Sequence, residues 1–238
     1  MTSRRLAQQL HKWLGLLVGL QLLIWTTSGF YMVVVDIDII HGDHLIAQPR
    51  RLSAPEINRF AAIASATASQ TSGIRSVKLR DLNGQGVIEI TSTQGTDLLN
   101  AKTGAKLAPL DQAAIEALAN SYYAGSADIA ASRLLETNPP HEIGSRPLPL
   151  WRVDFDDLWG TTLYISPITG ELSTRRHTLW RVFDFLWMLH IMDYDEREDI
   201  NNPVLRIVSI AALLLVLSGA WYLYLTLTAP RRGWGQQR

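Results

Sequence analysis

The segment WLGLLVGLQLLIWTTSGFYMVVV, from Trp13 to Val35, contains no charged side chain. At about 1.5 Å per residue, a helix of this length crosses the roughly 30 Å hydrocarbon core of a bilayer. It is longer than the apolar core of a secretory signal, and no small-residue cleavage site follows it. The segment therefore predicts an uncleaved transmembrane helix over residues 13–35, preceded by a cytoplasmic N-terminus, residues 1–12.

A second apolar segment, VLRIVSIAALLLVLSGAWYLYLTL, covers residues 204–227 and predicts another transmembrane helix. Basic residues flank the outer ends of the two segments: Arg4, Arg5 and Lys12 on one side, Arg231 and Arg232 on the other. The positive-inside rule places such ends in the cytoplasm. We therefore expect a membrane protein with the bilayer as its first partner. Both termini, including the tail 228–238, would be cytoplasmic, and the central domain would lie on the opposite side, which is the periplasm if the membrane is a bacterial inner membrane.

A third apolar segment, TLWRVFDFLWMLHIMDY at residues 178–194, carries Arg181 and Asp184 and precedes an acidic run. Charges within a span are costly, and a third span would place the C-terminal arginines outside. The pattern instead predicts an amphipathic helix in the outer membrane interface.

The region between the anchors is internally repetitive. After a juxtamembrane segment, residues 36–52, one helical stretch and three strand-like runs occupy residues 53–110, and the same order recurs in residues 111–174. Each copy ends in a Thr-Gly turn, at Thr103-Gly104 and Thr169-Gly170. The predicted fold class is an α+β membrane protein. Two transmembrane helices flank a tandem of helix-plus-three-stranded antiparallel units, with the interfacial helix before the last span.

Composition excludes several kinds of chemistry. The chain has no cysteine, which removes thiolate metal sites, iron–sulfur ligation and covalent haem attachment. Its 22 basic and 22 acidic side chains balance, which argues against nucleic-acid binding. No phosphate loop, catalytic triad or zinc-protease motif is present.

The duplicated unit resembles a PepSY domain, and the flanks resemble the PepSY-associated transmembrane family. The matching stretches are LHKWLGLLVGLQLLIWTTSG (residues 10–29), Leu189-His190, and LSGAWYL (residues 217–223). The resemblance implies an inner-membrane protein with a periplasmic PepSY region. Several members are siderophore-iron reductases that hold b-type haem through helix histidines. These reductases are larger and have four or more transmembrane helices, whereas two are predicted for this chain.

Four of the six histidines are candidate ligands, because neutral imidazole is a natural axial ligand of haem iron. His11 lies at the cytoplasmic mouth of the first span, and in a homodimer two copies could face each other. Gly15-x-x-x-Gly19 would allow helices to approach closely there. The alternative is that His11 is an ordinary interfacial polar residue. His141 is interpreted as a loop residue.

His41, His44 and His190 are predicted near the outer membrane surface. If the first helix continues past Val35, His41 and His44 share one face, with aspartates nearby as acceptors for an imidazole N–H. Such a site could hold haem or a divalent metal such as copper, iron or zinc. The alternative is a solvated helix end without cofactor. His177, beside two arginines, is predicted to contact lipid headgroups.

Two functions follow. One is a b-type haem electron-transfer or reductase subunit that acts on a periplasmic ferric or similar acceptor. Its axial ligands would be His11 and His190, with His41 and His44 assisting, and its partner would be a redox protein or quinol. The other is a non-enzymatic periplasmic binding or accessory module anchored by two helices.

Overall fold

The computed structural model describes residues 3–48, 50–68 and 72–229 and divides the chain into two units. The helical unit comprises the chain up to Val35 and the chain from Phe183 onward, and the sheet unit comprises Asp36–Val182. Of the predicted cytoplasmic tail, residues 230–238 lie outside the described part, and Arg231 and Arg232 lie there with them.

The helical unit is built on two long apolar helices, α1 (Ser3–Val34) and α6 (Pro203–Leu227), which pack against each other. Within the described residues these two are long and apolar enough to cross a membrane. Helix α1 begins ten residues before the predicted start at Trp13, because Arg, Leu, Ala and Gln there are good helix formers. Helix α6 begins where Asn202 caps it, its side-chain oxygen accepting from the N–H of Leu205 at 2.9 Å.

Helix α1 ends at Val34, so the continuation that would have placed His41 and His44 on one helical face does not occur. The carboxylate of Asp36 accepts from the N–H of Asp38 at 2.8 Å and starts a separate short helix, α2 (Ile37–His41). Gly42 ends α2 in the left-handed region, with φ of 73°, and His44 lies in the 3₁₀ turn Asp43–Leu45 that follows.

The first half of the sheet unit is one helix, α3 (Ala54–Ala68), packed on a three-stranded antiparallel sheet. Its strands β1 (Ile74–Leu82), β2 (Gln85–Ser92) and β3 (Gly95–Asn100) lie in chain order. The aromatic ring of Phe60 packs so closely on β2 that a Cβ at Gly86 would lie 2.4 Å from it.

The second half is α4 (Gln112–Tyr122) packed on a sheet of four antiparallel strands, one more than predicted. The strands are β4 (Ile129–Leu135), β5 (Leu150–Phe155), β6 (Thr162–Ile165) and β7 (Leu172–Arg176). Gly170, with φ of +67°, reverses the chain, so the residues after the Thr-Gly turn pair back with β6. The equivalent turn in the first half is followed by a single bridge, Leu99 with Lys106.

Helix α5 (Thr178–Ile191) lies within the predicted interfacial segment, and the boundary between the two units falls inside it. In the helical unit its acidic residue Asp184 forms an ion pair with Arg197, and Trp187 donates to the carbonyl of Arg197 at 3.0 Å. The side chain of Asn202 donates to the carbonyl of Ile191 at 2.9 Å, which ties the end of α5 to the start of α6.

Candidate functional site

His11 of α1 is held by α6. Its Nδ1 lies 3.2 Å from the carbonyl oxygen of Leu215 and 3.2 Å from Oγ of Ser218. A carbonyl oxygen only accepts hydrogen bonds, so Nδ1 must carry the proton. The Ser218 hydroxyl donates its own hydrogen to Leu215 O at 2.8 Å and accepts from His11.

His190, at the end of α5, is held by α1 in the same manner. Its Nδ1 lies 2.8 Å from Oγ of Ser28, a residue with no exposed surface. The Ser28 hydroxyl lies equally close, at 2.8 Å, to the carbonyl of Ile24. It has one hydrogen, so it either donates to that carbonyl and accepts from Nδ1 of His190, or donates to Nδ1 itself. The indole N–H of Trp25 also donates to the backbone carbonyl of His190, at 2.6 Å.

His11 and His190 thus share one arrangement: Nδ1 of each imidazole is hydrogen-bonded to a serine on a neighbouring helix, and the tautomer with its proton on Nδ1 has its lone pair on Nε2. Within residues 3–48, 50–68 and 72–229, neither Nε2 atom makes a hydrogen bond. An imidazole oriented through one nitrogen, with the other available, is the form in which histidine ligates metals.

The two histidines lie near opposite ends of α1. His11 and Ser28, the anchor of His190, are 17 residues apart on this helix, which corresponds to about 25 Å along its axis. They therefore cannot ligate the two sides of one iron, and any ligation would occur at two separate sites.

His41 and His44 belong to the sheet unit. The carbonyl of His41 accepts from Nε of Arg175 at 2.8 Å, while its imidazole lines a cavity beside β7. The ring of His44 lies edge-on to the ring of His177, with 6.0 Å between centroids. Across the described parts of the chain, no group of three or more His, Asp or Glu side chains is arranged to hold a metal ion.

His177 does not contact lipid headgroups as the sequence suggested; it is 1% exposed. Its Nε2 donates to the carbonyl of Ile40 at 3.0 Å and so fixes α2 against the start of α5. Burial lowers the pKa of His177, and the nearby His44 adds to this effect, although the hydrogen bond to Ile40 opposes it. The adjacent arginines in the sequence concealed this structural role.

Two aspartates near the candidate histidines, Asp43 and Asp193, bond to groups other than an imidazole. Asp43 forms an ion pair with Arg175. The carboxylate of Asp193 accepts from the backbone N–H groups of Glu198 and Asp199, each at 2.9 Å, and organises its own loop. Ser28 bonds to a neighbouring helix, α5, through His190. Neither Ser28 nor Ser218 was singled out in the sequence analysis as a partner of a histidine.

The other polar residues of α1 divide into two groups. Nε2 of Gln21 donates to the carbonyl of Leu189 at 3.3 Å and joins α1 to α5. Thr26 and Thr27 donate instead to carbonyls of their own helix, Leu22 and Leu23, at 2.8 and 2.9 Å, and both are exposed. Ser28 and Gln21 therefore mark the face of α1 that carries α5.

Comparison with known protein families identifies the family of this chain. The family model described as the PepSY-associated TM region matches residues 8–238. The chain belongs to this family. Neither a curated protein nor a solved structure matches it significantly. The matched region of this PepSY-associated membrane protein includes both anchored histidines and both serines that hold them.

Proposed function

We propose that this protein is a b-type haem electron-transfer or reductase subunit that acts on a periplasmic acceptor, ferric iron or a similar species. His11 and His190 are the proposed axial ligands. The observation that supports this proposal is the shared arrangement of the two imidazoles, each held through Nδ1 with Nε2 left to ligate. A bound haem would supply one-electron transfer at neutral pH without a protein radical.

The imidazole nitrogens are suitable ligands for haem iron, but one chain provides a single anchored histidine near each end of α1. A second axial ligand would come from a second copy of the chain, which makes a homodimer part of the proposal. Gly19 supports this step, because a Cβ at this position would meet no described atom within 4 Å. That side of α1 is therefore open to another helix at close range. His41 and His44 keep an assisting role in the proposal.

The chain's own contribution is orientation. Ser218 and Ser28 orient the two imidazoles through Nδ1, so that Nε2 is the atom of each ring that would ligate. Trp25 holds the backbone of His190 in register with α1. Loss of such orienting bonds typically lowers ligand-site affinity by about 10–100-fold.

Optical spectra test the haem proposal. Full-length protein, produced with a haem precursor and purified in detergent, should show a Soret band and, after dithionite reduction, a b-type α band. His11→Ala and His190→Ala should each remove part of the absorbance, and the double variant should remove all of it. His141→Ala, which replaces an exposed loop histidine, is the control. Unchanged absorbance in the double variant, or none in the wild type, would refute the assignment.

The proposed topology places both termini in the cytoplasm of a bacterial inner membrane, the sheet unit in the periplasm and α5 in the outer interface. Arg4, Arg5 and Lys12 at the start of α1 support it. Since the chain has no cysteine, single cysteines can report on each side. In spheroplasts, a membrane-impermeant maleimide should label Glu136→Cys and not Ser3→Cys. The reverse labelling would invert the topology.

The alternative function is a non-enzymatic binding or accessory module, in which the tandem PepSY-like halves recognise a periplasmic ligand. A cavity of about 330 Å³ in the sheet unit favours it, because small-molecule sites have volumes from about 300 Å³ upward. Wild-type protein that folds and binds a soluble ligand but contains no haem would select this alternative.

A further inference from the structure

The turn between β5 and β6 carries two apolar side chains at its tip. This turn, residues 156–161, has the sequence DDLWGT, and in it Leu158 is 100% exposed and Trp159 is 48% exposed. Turns are normally built from Gly, Asn, Asp, Ser or Pro. A leucine and a tryptophan side by side leave a large apolar surface in water, which is unfavourable in proportion to its area. The pair is therefore suited to an environment less polar than water.

The DDLWGT turn is held in one conformation by hydrogen bonds. The carboxylate of Asp157 accepts from the backbone N–H of Thr161 at 2.7 Å, from the Thr161 hydroxyl at 2.5 Å and from the hydroxyl of Tyr123 at 2.9 Å. The carbonyl oxygen of Trp159 accepts from the backbone N–H of Thr178 at 2.8 Å and from its hydroxyl at 2.7 Å. Leu158 lies between these two anchored residues, so its exposure is a property of the fold.

The turn lies at the end of the sheet unit where α2 meets the start of α5. Thr162, the first residue of β6, pairs with Arg176, the last residue of β7, so the turn lies beside the residues that lead into α5. His177 follows directly, and its Nε2 donates to the carbonyl of Ile40 in α2 at 3.0 Å. The DDLWGT turn, the start of α5 and α2 thus form one end of this unit.

Both covalent connections to the helical unit leave from this same end, because the sheet unit begins at Asp36 and ends at Val182. Helix α1 ends at Val34, so the Cα atom of Ile37 lies at most about 11 Å from that of Val34, at about 3.8 Å per residue. The side chains of Ile37, Ile39 and Val182 are exposed. An exposed apolar side chain held this close to the end of a membrane-spanning helix is within reach of the bilayer surface.

We propose that this end of the sheet unit is a membrane-binding surface, in which Leu158 and Trp159 insert into the lipid interface beside the exposed isoleucines of α2. Tryptophan suits this depth, because its ring is amphipathic and is enriched at membrane–water interfaces. The exposed carboxylates of Asp38 and Asp156 limit the depth, because a charge in hydrocarbon is costly. The surface holds the sheet unit against the bilayer. The proposal depends neither on haem nor on which side of the membrane the unit lies.

Spin-label accessibility in the full-length protein, reconstituted in nanodiscs, tests the proposal. Because the chain has no cysteine, a nitroxide can be attached at one position at a time. Oxygen enters the apolar layer of the bilayer, whereas a polar nickel chelate stays in water. We expect the ratio of the oxygen collision rate to the nickel-chelate collision rate to be several-fold higher for Leu158→Cys than for Leu134→Cys. Leu134 is the matched control, because it is an exposed leucine on β4 that pairs with Trp151, at the end of β5 far from the turn.

A charge at the tip of the turn provides a second test. Trp159→Asp, added to Leu158→Cys, should lower the collision ratio several-fold, since a carboxylate resists insertion. Leu134→Asp, added to Leu158→Cys, introduces the same charge on β4 and should leave the ratio unchanged.

Equal ratios at positions 158 and 134, or no effect of Trp159→Asp, would overturn the proposal. A label at position 158 that neither reagent reaches would also overturn it, because protein rather than lipid would then cover the turn. Unfolding temperatures verify that each variant is folded. If Trp159→Asp does not fold, the comparison of Leu158→Cys with Leu134→Cys decides.

Discussion

The imidazole of His11 on α1 lies directly against the backbone of Gly219 on α6: a Cβ at Gly219 would approach the imidazole Cε1 to 2.9 Å. Gly29 of α1 stands beside His190 at a looser distance, with 3.7 Å between the corresponding Cβ position and the imidazole Cε1. The imidazole of His11 is thus packed more tightly against a glycine than that of His190, although both imidazoles are hydrogen-bonded to a serine.

We predict that Gly219→Ala displaces His11 and breaks its bonds to Leu215 and Ser218. The methyl group should cost about 1–3 kcal/mol of unfolding free energy through overpacking, against a gain of about 0.5–1 kcal/mol from improved helix propensity. Unfolding in detergent measures the difference. Gly29→Ala is the matched control and should be neutral or stabilising, since 3.7 Å is an ordinary contact. Equal effects of the two variants would contradict the close seating of His11.

Removal of the Ser28 hydroxyl should leave Nδ1 of His190 without its hydrogen-bond partner. We predict a loss of about 1–3 kcal/mol of unfolding free energy for Ser28→Ala, because Ser28 is fully buried and a polar group left unsatisfied there carries its desolvation cost. Thr27→Ala deletes a hydroxyl that bonds only its own helix and faces outward, so its cost should stay within about 0.5 kcal/mol. A haem signal that is lost in Ser28→Ala alone would connect this bond to ligation. Equal stability of Ser28→Ala and Thr27→Ala would contradict the predicted contribution of the Ser28–His190 hydrogen bond to stability.

The apolar runs allowed prediction of both long helices, because the first has no charged side chain and the second has one, Arg206, near its start. Helix boundaries were harder to predict. The start of α1 at Ser3 depends on helix propensity among polar residues, and the break at Val35 depends on capping by Asp36, which competes with simple continuation. Strand β7 was missed because the Thr-Gly turn looks alike in both halves, while only the second is followed by a full strand.

The candidate histidines could be identified from the sequence by residue type, but the serines that hydrogen-bond to them could not. Ser28 and Ser218 lie 162 and 207 positions from the imidazoles that they hold, so no local pattern links them. His177 was misassigned for a related reason. Its neighbours in sequence are charged, but its neighbours in space are the backbone of α2 and the ring of His44.

Glu142 should be a main source of acid sensitivity in the sheet unit. Burial raises the pKa of this carboxyl, but hydrogen bonds from Arg181 and Tyr164 and the charges of Arg181 and Arg152 outweigh burial and hold the pKa below its usual value. A depressed pKa stabilises the fold above the unfolded value, near 4.3, and this contribution is lost as the pH falls through the folded value.

We therefore predict that Glu142→Gln lowers the unfolding free energy at pH 7 by about 3 kcal/mol, because Arg181 loses its buried partner. The variant should also lose less stability than the wild type between pH 5 and pH 3. Unfolding curves across this range check both points. Glu136→Gln, at an exposed position, should follow the wild type. An unchanged acid slope in Glu142→Gln would contradict the assignment.

His177 should control stability at milder pH. Its folded pKa lies below the ordinary value, chiefly because the ring is buried, so the unfolded chain binds a proton that the folded protein rejects. Stability is therefore complete above about pH 6.5 and falls as the pH drops toward the folded pKa, by at most about 1.4 kcal/mol per pH unit. His177→Gln can still donate to Ile40 O but cannot titrate, so the fall in stability between pH 7 and pH 5 should flatten. His141→Gln, which removes an exposed histidine, should retain the wild-type slope. A His177→Gln variant with the wild-type slope would show that another group controls this range.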